Sequence, residues 1–311
     1  RKVFVWVGYM FGAGSRIGYA LITSWQMLIP FRVLDRAGKI RSAPRDAVVA
    51  DVSTEQNRGR NFGFLRMMDN LGAVFGIVFC LLFIEIGYTN LFLIAAIPSV
   101  IGSFLILKFI KEKPESRVKA FKGLSFKQLD SNFKQFLLLS AIFSIGSFSY
   151  SFLLLYAFES GFEKGGLPVL YLIFTVVATI FSLPFGKLSD KIGRRNVLFI
   201  SFCFWALVCI GFLVASNYWG IISSFILFGL HKAAIEPVQK TFVSELAPPE
   251  LRASTLGGFQ MLIGLCAFPS AFLAGLLWQY VDTSAPLILA LVLTLVSLGL
   301  LMFVKEAKRS S

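Results

Sequence analysis

Charged residues are scarce in this chain, and so are the groups that hydrolytic chemistry requires. Of its 311 residues, 15% are charged and one is a histidine, whereas soluble domains carry about 25% charged residues. The sequence contains no H-E-x-x-H, G-x-S-x-G or G-x-x-x-x-G-K-[ST] pattern, which are typical of zinc proteases, serine hydrolases and nucleotide-binding loops. These absences argue against an enzyme and against direct use of ATP, and we expect no cofactor.

Cysteines are also few. All four lie inside apolar runs, and no two have C-x-x-C spacing: Cys80, Cys203, Cys209 and Cys266. A buried thiol usually behaves as a small hydrophobic group, and metal sites need ligands clustered at short spacings. We therefore expect neither a disulfide nor a metal site.

Apolar residues, by contrast, are abundant and come in runs of membrane length. They make up 56% of the chain, and a helix needs about 20 of them to cross the hydrocarbon of a bilayer. Eight runs meet this length: Val3–Thr23, Phe62–Ile84, Asn90–Ile110, Gln135–Phe158, Leu167–Gly186, Val197–Ser216, Ser254–Trp278 and Ala285–Val304. Two more segments, Ser24–Val52 and Tyr218–Ser244, begin apolar and then fill with charges. The sequence therefore predicts an all-α integral membrane protein with ten membrane helices.

The basic residues are distributed unevenly along the chain. A net charge of +13 would point to nucleic acid in a soluble protein. Here, however, Lys and Arg occupy alternate loops, and the intervening loops hold only Lys164. Basic loops mark the cytoplasmic side of a membrane protein. The pattern predicts a multi-pass protein of the plasma or inner membrane, with both ends of this chain cytoplasmic. Its partner is then a lipid bilayer and not nucleic acid.

The sequence repeats itself at an offset of 194 residues. The matched pairs are Arg1 with Arg195, Val3 with Val197, Trp25 with Trp219, Asp51 with Glu245, Arg58 with Arg252 and Gly63 with Gly257. Equivalent positions fall on the same side of the membrane, so the halves are parallel repeats. Residues 135–194 have no counterpart within the chain. We expect two bundles, residues 1–110 and 135–311, joined by a basic cytoplasmic linker at 111–134, with ten of twelve helices present.

A short loop in the second half carries the most specific motif. Residues 186–195 read G-K-L-S-D-K-I-G-R-R, which resembles the G-x-x-x-D-[RK]-x-G-R-R signature of the major facilitator superfamily. The resemblance implies a transporter of two helical bundles, with a cytoplasmic latch that holds one conformation closed through charge pairs. The residues of this latch are Gly186, Asp190, Gly193, Arg194, Arg195, Glu245, Arg252, Asp51 and Arg58.

The latch residues have distinct expected tasks. Gly186 lets two helices approach closely, as small residues do in membranes. Asp190 favours a helix N-terminus, where the helix dipole stabilises an anion. We expect Asp190 to pair with Arg252, and Glu245 to pair with one of the two arginines that end the loop.

A second segment narrows the resemblance. Residues 35–46, D-R-A-G-K-I-R-S-A-P-R-D, resemble a facilitator subgroup with G-K-G-I-R-x-A-P-R-D at this place, whose members are efflux-type or uncharacterised transporters. The present segment is one residue shorter, and on a continuous α-helix one lost residue turns everything beyond it by about 100°. Farther along, Gly72 and Gly76 have the small-x-x-x-small spacing of a helix-packing interface.

Ionisable groups inside predicted spans are costly in a membrane and are commonly functional. Candidates for coupling or for the substrate cavity are Arg32, Asp35, Arg36 and Gln26 in the first half and His231, Lys232, Glu236, Tyr150 and Tyr156 in the second. We hypothesise that Glu236 binds a proton in one facing state and releases it in the other, tuned by Lys232 or His231.

These observations predict a secondary active transporter that carries a small molecule by alternating access. We expect protons as the coupling ion, efflux as the direction and a monomer as the working unit. Two alternatives remain open, namely a facilitator or uniporter without proton coupling and a transporter-like sensor or scaffold. The sequence does not identify the substrate.

Overall fold

The computed structural model describes residues 2–109, 130–215, 217–248 and 251–306, whose regular secondary structure is helical throughout. The first half (residues 2–109) contains α1 (Lys2–Ala20), α2 (Trp25–Ala37), α3 (Ser42–Asp51), α4 (Arg58–Leu82) and α5 (Tyr88–Phe109). The second half (residues 130–306) contains α6 (Ser131–Gly146), α7 (Tyr150–Glu159), α8 (Leu167–Ile192), α9 (Arg194–Val214), α10 (Tyr218–Leu246), α11 (Arg252–Tyr280) and α12 (Ala285–Leu301). Both chain ends and most of the predicted linker lie outside the described residues.

Membrane-spanning segments account for most of the described chain. Seven are long and apolar enough to cross a bilayer: Arg58–Leu82, Tyr88–Phe109, Ser131–Glu159, Leu167–Ile192, Arg194–Val214, Tyr218–Leu246 and Arg252–Tyr280. Helix α12 is apolar but shorter. The protein is therefore an integral, all-helical, multi-pass membrane protein, and the total of ten spans stays a prediction.

One predicted span, residues 24–52, is not a continuous helix. Helix α2 ends at Ala37, and a 3-10 turn over Gly38–Arg41 leads into α3. Gly38 packs against α1, where an added Cβ would lie 2.9 Å from the carbonyl oxygen of Gly8. The Arg41 guanidinium donates to the carbonyl oxygens of Gly8 and Gly38, at 3.0 and 2.8 Å. The break thus coincides with a close approach to α1.

The predicted span 135–158 is also interrupted. Helix α6 ends at Gly146, where an added Cβ would lie 2.9 Å from Cβ of Leu293 in α12. Helix α7 begins at Tyr150, and the Ser149 hydroxyl caps it by accepting a hydrogen bond from the Ser151 N–H at 3.3 Å. The apolar run therefore forms two shorter helices.

The buried core lies almost entirely in the second half. Within the main cluster of buried apolar residues, Ala47 is the one member from the described first half. Trp205 is fully buried in that cluster and donates its indole N–H to the Gly146 carbonyl oxygen at 3.2 Å. In the first half, α1 packs against α2 and α5, whereas α4 packs along α8 of the second half.

The two halves meet through α3 and α4 on one side and α8, α10 and α11 on the other. Helices α3 and α8 end, and α4 and α9 begin, at the same end of the bundle. We call this the charged end. Thr89, Glu163 and Asp282 lie at the opposite end, since α5, α8 and α12 begin there.

Candidate functional site between the two halves

Glycines bring the halves together at the charged end. A Cβ on Gly63 of α4 would lie 2.6 Å from a backbone carbonyl oxygen of α8 and 3.1 Å from Cα of Gly186. A Cβ on Gly59 would lie 2.6 Å from the Gly186 carbonyl oxygen. Gly186 therefore has the close-approach position expected of it. At Gly72 and Gly76, no atom of the described chain lies within 4 Å of an added Cβ, so the predicted packing interface there is wrong.

Asp190, in the last turn of α8, binds the N-terminus of α4 across the interface. Its carboxylate accepts hydrogen bonds from the backbone N–H groups of Gly59 at 2.9 Å and Arg60 at 2.7 Å. These N–H groups have no partner within their own helix, and the helix dipole favours the negative charge. Arg194 donates to the same carboxylate at 2.6 Å. The carboxylate of Asp190 thus binds a helix N-terminus, as expected, and that helix is α4 of the opposite half.

Arg194 lies at the centre of the charges at this end. Its side chain is 2% exposed and donates to the Glu245 carboxylate at 2.8 and 3.2 Å. It also donates to the Glu55 carbonyl oxygen of the first half at 3.2 Å. Glu245 lies 3.8 Å from the guanidinium of Arg58. Of the two candidate partners for Glu245, the structure places Arg194 in contact.

Gly193 shapes the turn between α8 and α9. Its φ of +103° lies in the left-handed region that favours glycine. A Cβ here would lie 2.7 Å from the Glu306 carboxylate, which accepts a hydrogen bond from the Arg195 backbone N–H. Arg195 thus contributes its backbone to a contact between the loop and the segment after α12.

Arg252 pairs with a different acid from the one predicted. It donates to the Asp51 carboxylate at 3.0 Å and to the Ser244 carbonyl oxygen at 3.0 Å. The predicted pairing of Asp190 with Arg252 is wrong, because Asp190 is bound by Arg194 and by α4. The contacts Asp51 to Arg252 and Glu245 to Arg58 correspond to each other under the repeat, and both cross the interface. We call the following residues the outer layer: Asp51, Arg58, Asp190, Arg194, Glu245 and Arg252.

A second group of charges lies deeper in the interface. Asp46 is 0% exposed, and its Oδ2 accepts hydrogen bonds from the Lys240 ammonium and, at 3.0 Å, from the Gln260 amide. Helix α3 continues five residues beyond Asp46 to Asp51, which is about 8 Å at the rise of an α-helix. The carboxylate of Asp46 therefore lies well inside the charged end.

Further charges of the first half complete this group. Arg45 forms a two-pronged ion pair with Asp69 at 2.9 Å for each bond, and Arg66 lies 3.2 Å from Asp69. Arg45 and Arg66 each approach the Asp46 carboxylate to 3.8 Å. We call the following residues the inner layer: Arg45, Asp46, Arg66, Asp69, Lys240 and Gln260.

The inner layer lies on the axis that relates the two halves. Asp46 and Lys240 are 194 residues apart, which is the offset of the repeat. Equivalent positions can contact one another only near that axis. Arg66 and Gln260 are also equivalent, and both approach Asp46. This group is not visible as a repeat of like residues, because its equivalent positions carry different residues.

The coupling candidates on α10 separate into two environments. Lys232 and Glu236 lie 4.0 Å apart, and about a third of each side chain is exposed. His231 is 1% exposed, and its Nδ1 lies 3.0 Å from Oγ of Ser201 in α9. Since His231 also packs against the Trp205 ring at 5.3 Å, it belongs to the core of the second half. Of the two residues named as able to tune Glu236, Lys232 is the one in contact with it.

The two candidate tyrosines also differ. Tyr150 is 40% exposed, and its ring lies 5.1 Å from that of Tyr171. Tyr156 packs edge-on between Phe212 and Trp278, with centroid distances of 5.5 and 5.7 Å. Tyr156 is therefore part of the aromatic packing of the second half, and Tyr150 is the accessible ring.

The remaining candidates lie on α2, away from both layers. Gln26, Arg32 and Arg36 are exposed, and Asp35 is half-buried. None of these side chains makes a hydrogen bond or ion pair within the part of the chain that the structure describes. Because α2 ends at Ala37, the helix that carries these candidates does not continue into α3.

Similarity to known proteins agrees with this architecture. The sequence model of the Major Facilitator Superfamily matches residues 1–176 and 136–311. The chain belongs to this superfamily. An uncharacterized MFS-type transporter of Methanocaldococcus jannaschii is 36% identical over 98% of this chain and 78% of its own length. An uncharacterized MFS-type transporter of Bacillus subtilis is 25% identical over 84% of this chain and 67% of its own.

Solved structures of superfamily transporters have the same fold. The proton:xylose symporter XylE aligns over 98% of this chain and 80% of its own with a TM-score of 0.81. The human organic anion transporter MFSD10 aligns over 97% and 77% with a TM-score of 0.79. Sequence identity is 15% in both cases, so these likenesses concern the fold. This major facilitator is thus a membrane protein that transports a solute.

Proposed function

We propose that this major facilitator is a secondary active transporter that moves a small molecule by alternating access of two bundles, residues 1–110 and 135–311. The observation that supports it is the pair of charged layers at one end of the interface. Both layers are built from side chains of opposite halves, so they have to separate if the substrate is to leave or enter at that end. Toward the opposite end, a Cβ added at Gly72 or Gly76 of α4 would have no atom of another element within 4 Å among the described residues.

The ion pairs of the two layers suit a charged end that closes reversibly. A single ion pair near a surface contributes only about 0–1 kcal/mol, but several together shift an equilibrium between two states. The outer layer closes the charged end with ion pairs and helix-terminus contacts, which can break and form again as the halves separate and rejoin.

Proton coupling is the second element of the proposal. Glu236 supports it because its side chain is 37% exposed, and it has one cationic neighbour at 4.0 Å, Lys232. A carboxylate in this position can reach water and exchange a proton, whereas Asp46 is buried in the closed arrangement. We propose that Glu236 carries the coupled proton, that the charged end faces the cytoplasm and that transport runs outward.

A disulfide lock tests alternating access directly. Cβ of Ala43 in α3 lies 3.6 Å from the position of an added Cβ on Gly257 in α11, within the range of about 3.5–4.5 Å that disulfides require. We predict that Ala43→Cys/Gly257→Cys, on a background without the four native cysteines, forms a disulfide that stops transport. Reduction should restore it. The single cysteine variants are the controls, and full transport by the oxidised pair would contradict alternating access.

Substrate and coupling are tested in proteoliposomes with a library of small solutes, followed by mass spectrometry. The oxidised lock supplies the zero-transport control. We expect at least one solute to be driven against its gradient when a pH gradient is imposed, with matching proton movement. Glu236→Gln should remove this pH dependence while leaving exchange between equal concentrations. Flux without proton movement would indicate a uniporter, and binding without flux would indicate a sensor.

A further inference from the structure

The charges of the inner layer are not balanced between the two halves. The first half contributes two arginines and two aspartates: Arg45, Arg66, Asp46 and Asp69. The second half contributes Lys240 and the neutral Gln260. When the halves separate, the first-half group keeps equal numbers of opposite charges, and Lys240 loses Asp46.

Among the described residues, the acid that forms an ion pair with Lys240 is Asp46 of the first half. Glu236 lies four residues earlier on α10, on the same helical face, but it is already 4.0 Å from Lys232. The stretch of α10 from Lys232 to Lys240 therefore carries two ammonium groups and one carboxylate, because Glu245 lies farther along and binds Arg194. After separation, this stretch keeps a net positive charge at membrane depth, where an uncompensated ion is costly.

Hydrogen-bond donors also outnumber acceptors around the inner layer. The buried Nε atoms of Arg45 and Arg66 and the buried Oδ1 of Asp46 have no hydrogen-bond partner among the described residues, and Nε of Arg45 lies 3.8 Å from this Oδ1. Nearby, Arg41 donates to backbone carbonyl oxygens and lies over the Tyr9 ring at 4.7 Å. The balance of charges and of donors favours an additional anion.

The second half already binds a carboxylate at this point. Nζ of Lys240 and Nε2 of Gln260, on α10 and α11, both donate to one oxygen of Asp46. A charge-assisted bond and an amide bond that converge on one oxygen form a carboxylate site. In the closed arrangement, that site is filled by a side chain of the other half.

We propose that Lys240 and Gln260 bind the anionic group of the transported molecule when the charged end is open, and that Asp46 displaces this group on closing. The substrate class is then a small organic anion bearing a carboxylate or a similar oxyanion. The inference rests on the proposed alternating access. It adds that substrate binding and closure of the charged end compete for the same two donors.

The test measures binding and does not require transport. The full-length protein, reconstituted in nanodiscs, is heated with matched pairs of probes: benzoate with benzamide, nicotinate with nicotinamide, and phenyl phosphate with phenol. We expect at least one anion to raise the Tm of the wild type while its neutral partner does not. Lys240→Gln should weaken the binding of that anion at least tenfold, and Gln260→Ala should weaken its binding by a smaller factor. Lys134→Gln, which changes an exposed lysine of the same half, should leave the affinity unchanged.

The variant Asp46→Asn distinguishes anion binding by Lys240 and Gln260 from a purely structural role of these two residues. It removes the competing carboxylate and keeps Lys240, so we expect the anion to bind several-fold more tightly. If Lys240→Gln does not fold, the double variant Asp46→Asn/Lys240→Gln replaces it and should bind no anion. The proposal is overturned if no anion of the set stabilises the wild type, if the shift survives the loss of Lys240, or if Asp46→Asn weakens binding. Anion binding at Lys240 without transport would instead overturn the proposed function alone.

Discussion

The outer and inner layers both join the halves of the same repeat, yet they use it in opposite ways. In the outer layer, equivalent positions carry like residues, Asp51 with Glu245 and Arg58 with Arg252. Each acid binds an arginine of the other half. In the inner layer, the equivalent positions Asp46 and Lys240 carry opposite charges and bind each other.

Distance from the axis explains this difference. Away from the axis, a residue contacts a non-equivalent position of the other half, so two similar sequences can form two similar ion pairs. On the axis, a residue contacts its own equivalent, and like charges there would repel. A charged contact on the axis therefore requires the two halves to differ.

The largest effect on closure of the charged end is expected from a substitution at Asp46, which lies on the axis. Asp46→Asn leaves the Lys240 ammonium buried without its carboxylate, and breaking a buried pair in this way costs about 3–5 kcal/mol. We expect the closed arrangement to lose most of its population, measured as slower disulfide formation by Ala43→Cys/Gly257→Cys. Asp46→Asn/Lys240→Gln removes both charges and should recover much of the closure. An unchanged rate in the single variant would show that the axial pair contributes nothing to closure.

A smaller loss of closure is expected at Glu245, which lies 3.8 Å from Arg58 of the first half and holds Arg194, itself a donor to Glu55 of the first half. Hydrogen bonds to charged groups contribute about 1.5–3 kcal/mol each. Glu245→Gln keeps the shape and loses the charge, so the same disulfide assay should show an intermediate defect. Equal defects for Glu245→Gln and Asp46→Asn would remove the distinction between the layers.

The smallest effect is expected at the equivalent position of the first half. The Asp51 side chain is 33% exposed, and exposed pairs contribute about 0–1 kcal/mol. Asp51→Asn should therefore leave closure near that of the wild type, and the residual effect should vanish at high salt. A defect as large as that of Glu245→Gln would mean that the two outer pairs contribute equally despite their different burial.

Sequence alone predicted the helical class, the parallel repeat and the signature loop, because hydropathy and like residues are visible along the chain. It named Arg194 as one of two candidate partners of Glu245 but did not predict the partners of Asp190 and Arg252 within the latch. Arg252 was expected to bind Asp190, whereas the Gly59–Gly186 approach brings the N-terminus of α4 to Asp190. A contact of this kind depends on how closely two helices pack, which a single sequence does not encode as a pattern.

Burial was the other quantity that the sequence could not provide. His231 and Glu236 lie five residues apart on one helix, but His231 faces α9 and Glu236 reaches solvent. Asp46 follows a Pro-Arg pair in a segment rich in charge, so it was read as part of a motif and not as a buried ion. The structure places Lys240 and Gln260 beside Asp46, and these contacts identify it as a buried charge of the interface.

The 3-10 turn at Gly38–Arg41 has a consequence for the register of α3. A 3-10 helix advances about 120° and 2.0 Å per residue, against about 100° and 1.5 Å in an α-helix. Over four residues, the turn adds about 80° of rotation and about 2 Å of length. The single residue by which this segment is shorter than the resembling subgroup amounts to about 100° and 1.5 Å. The tighter winding therefore nearly cancels the deletion and returns Arg45 and Asp46 to the azimuth and depth that a longer, regular helix would give them.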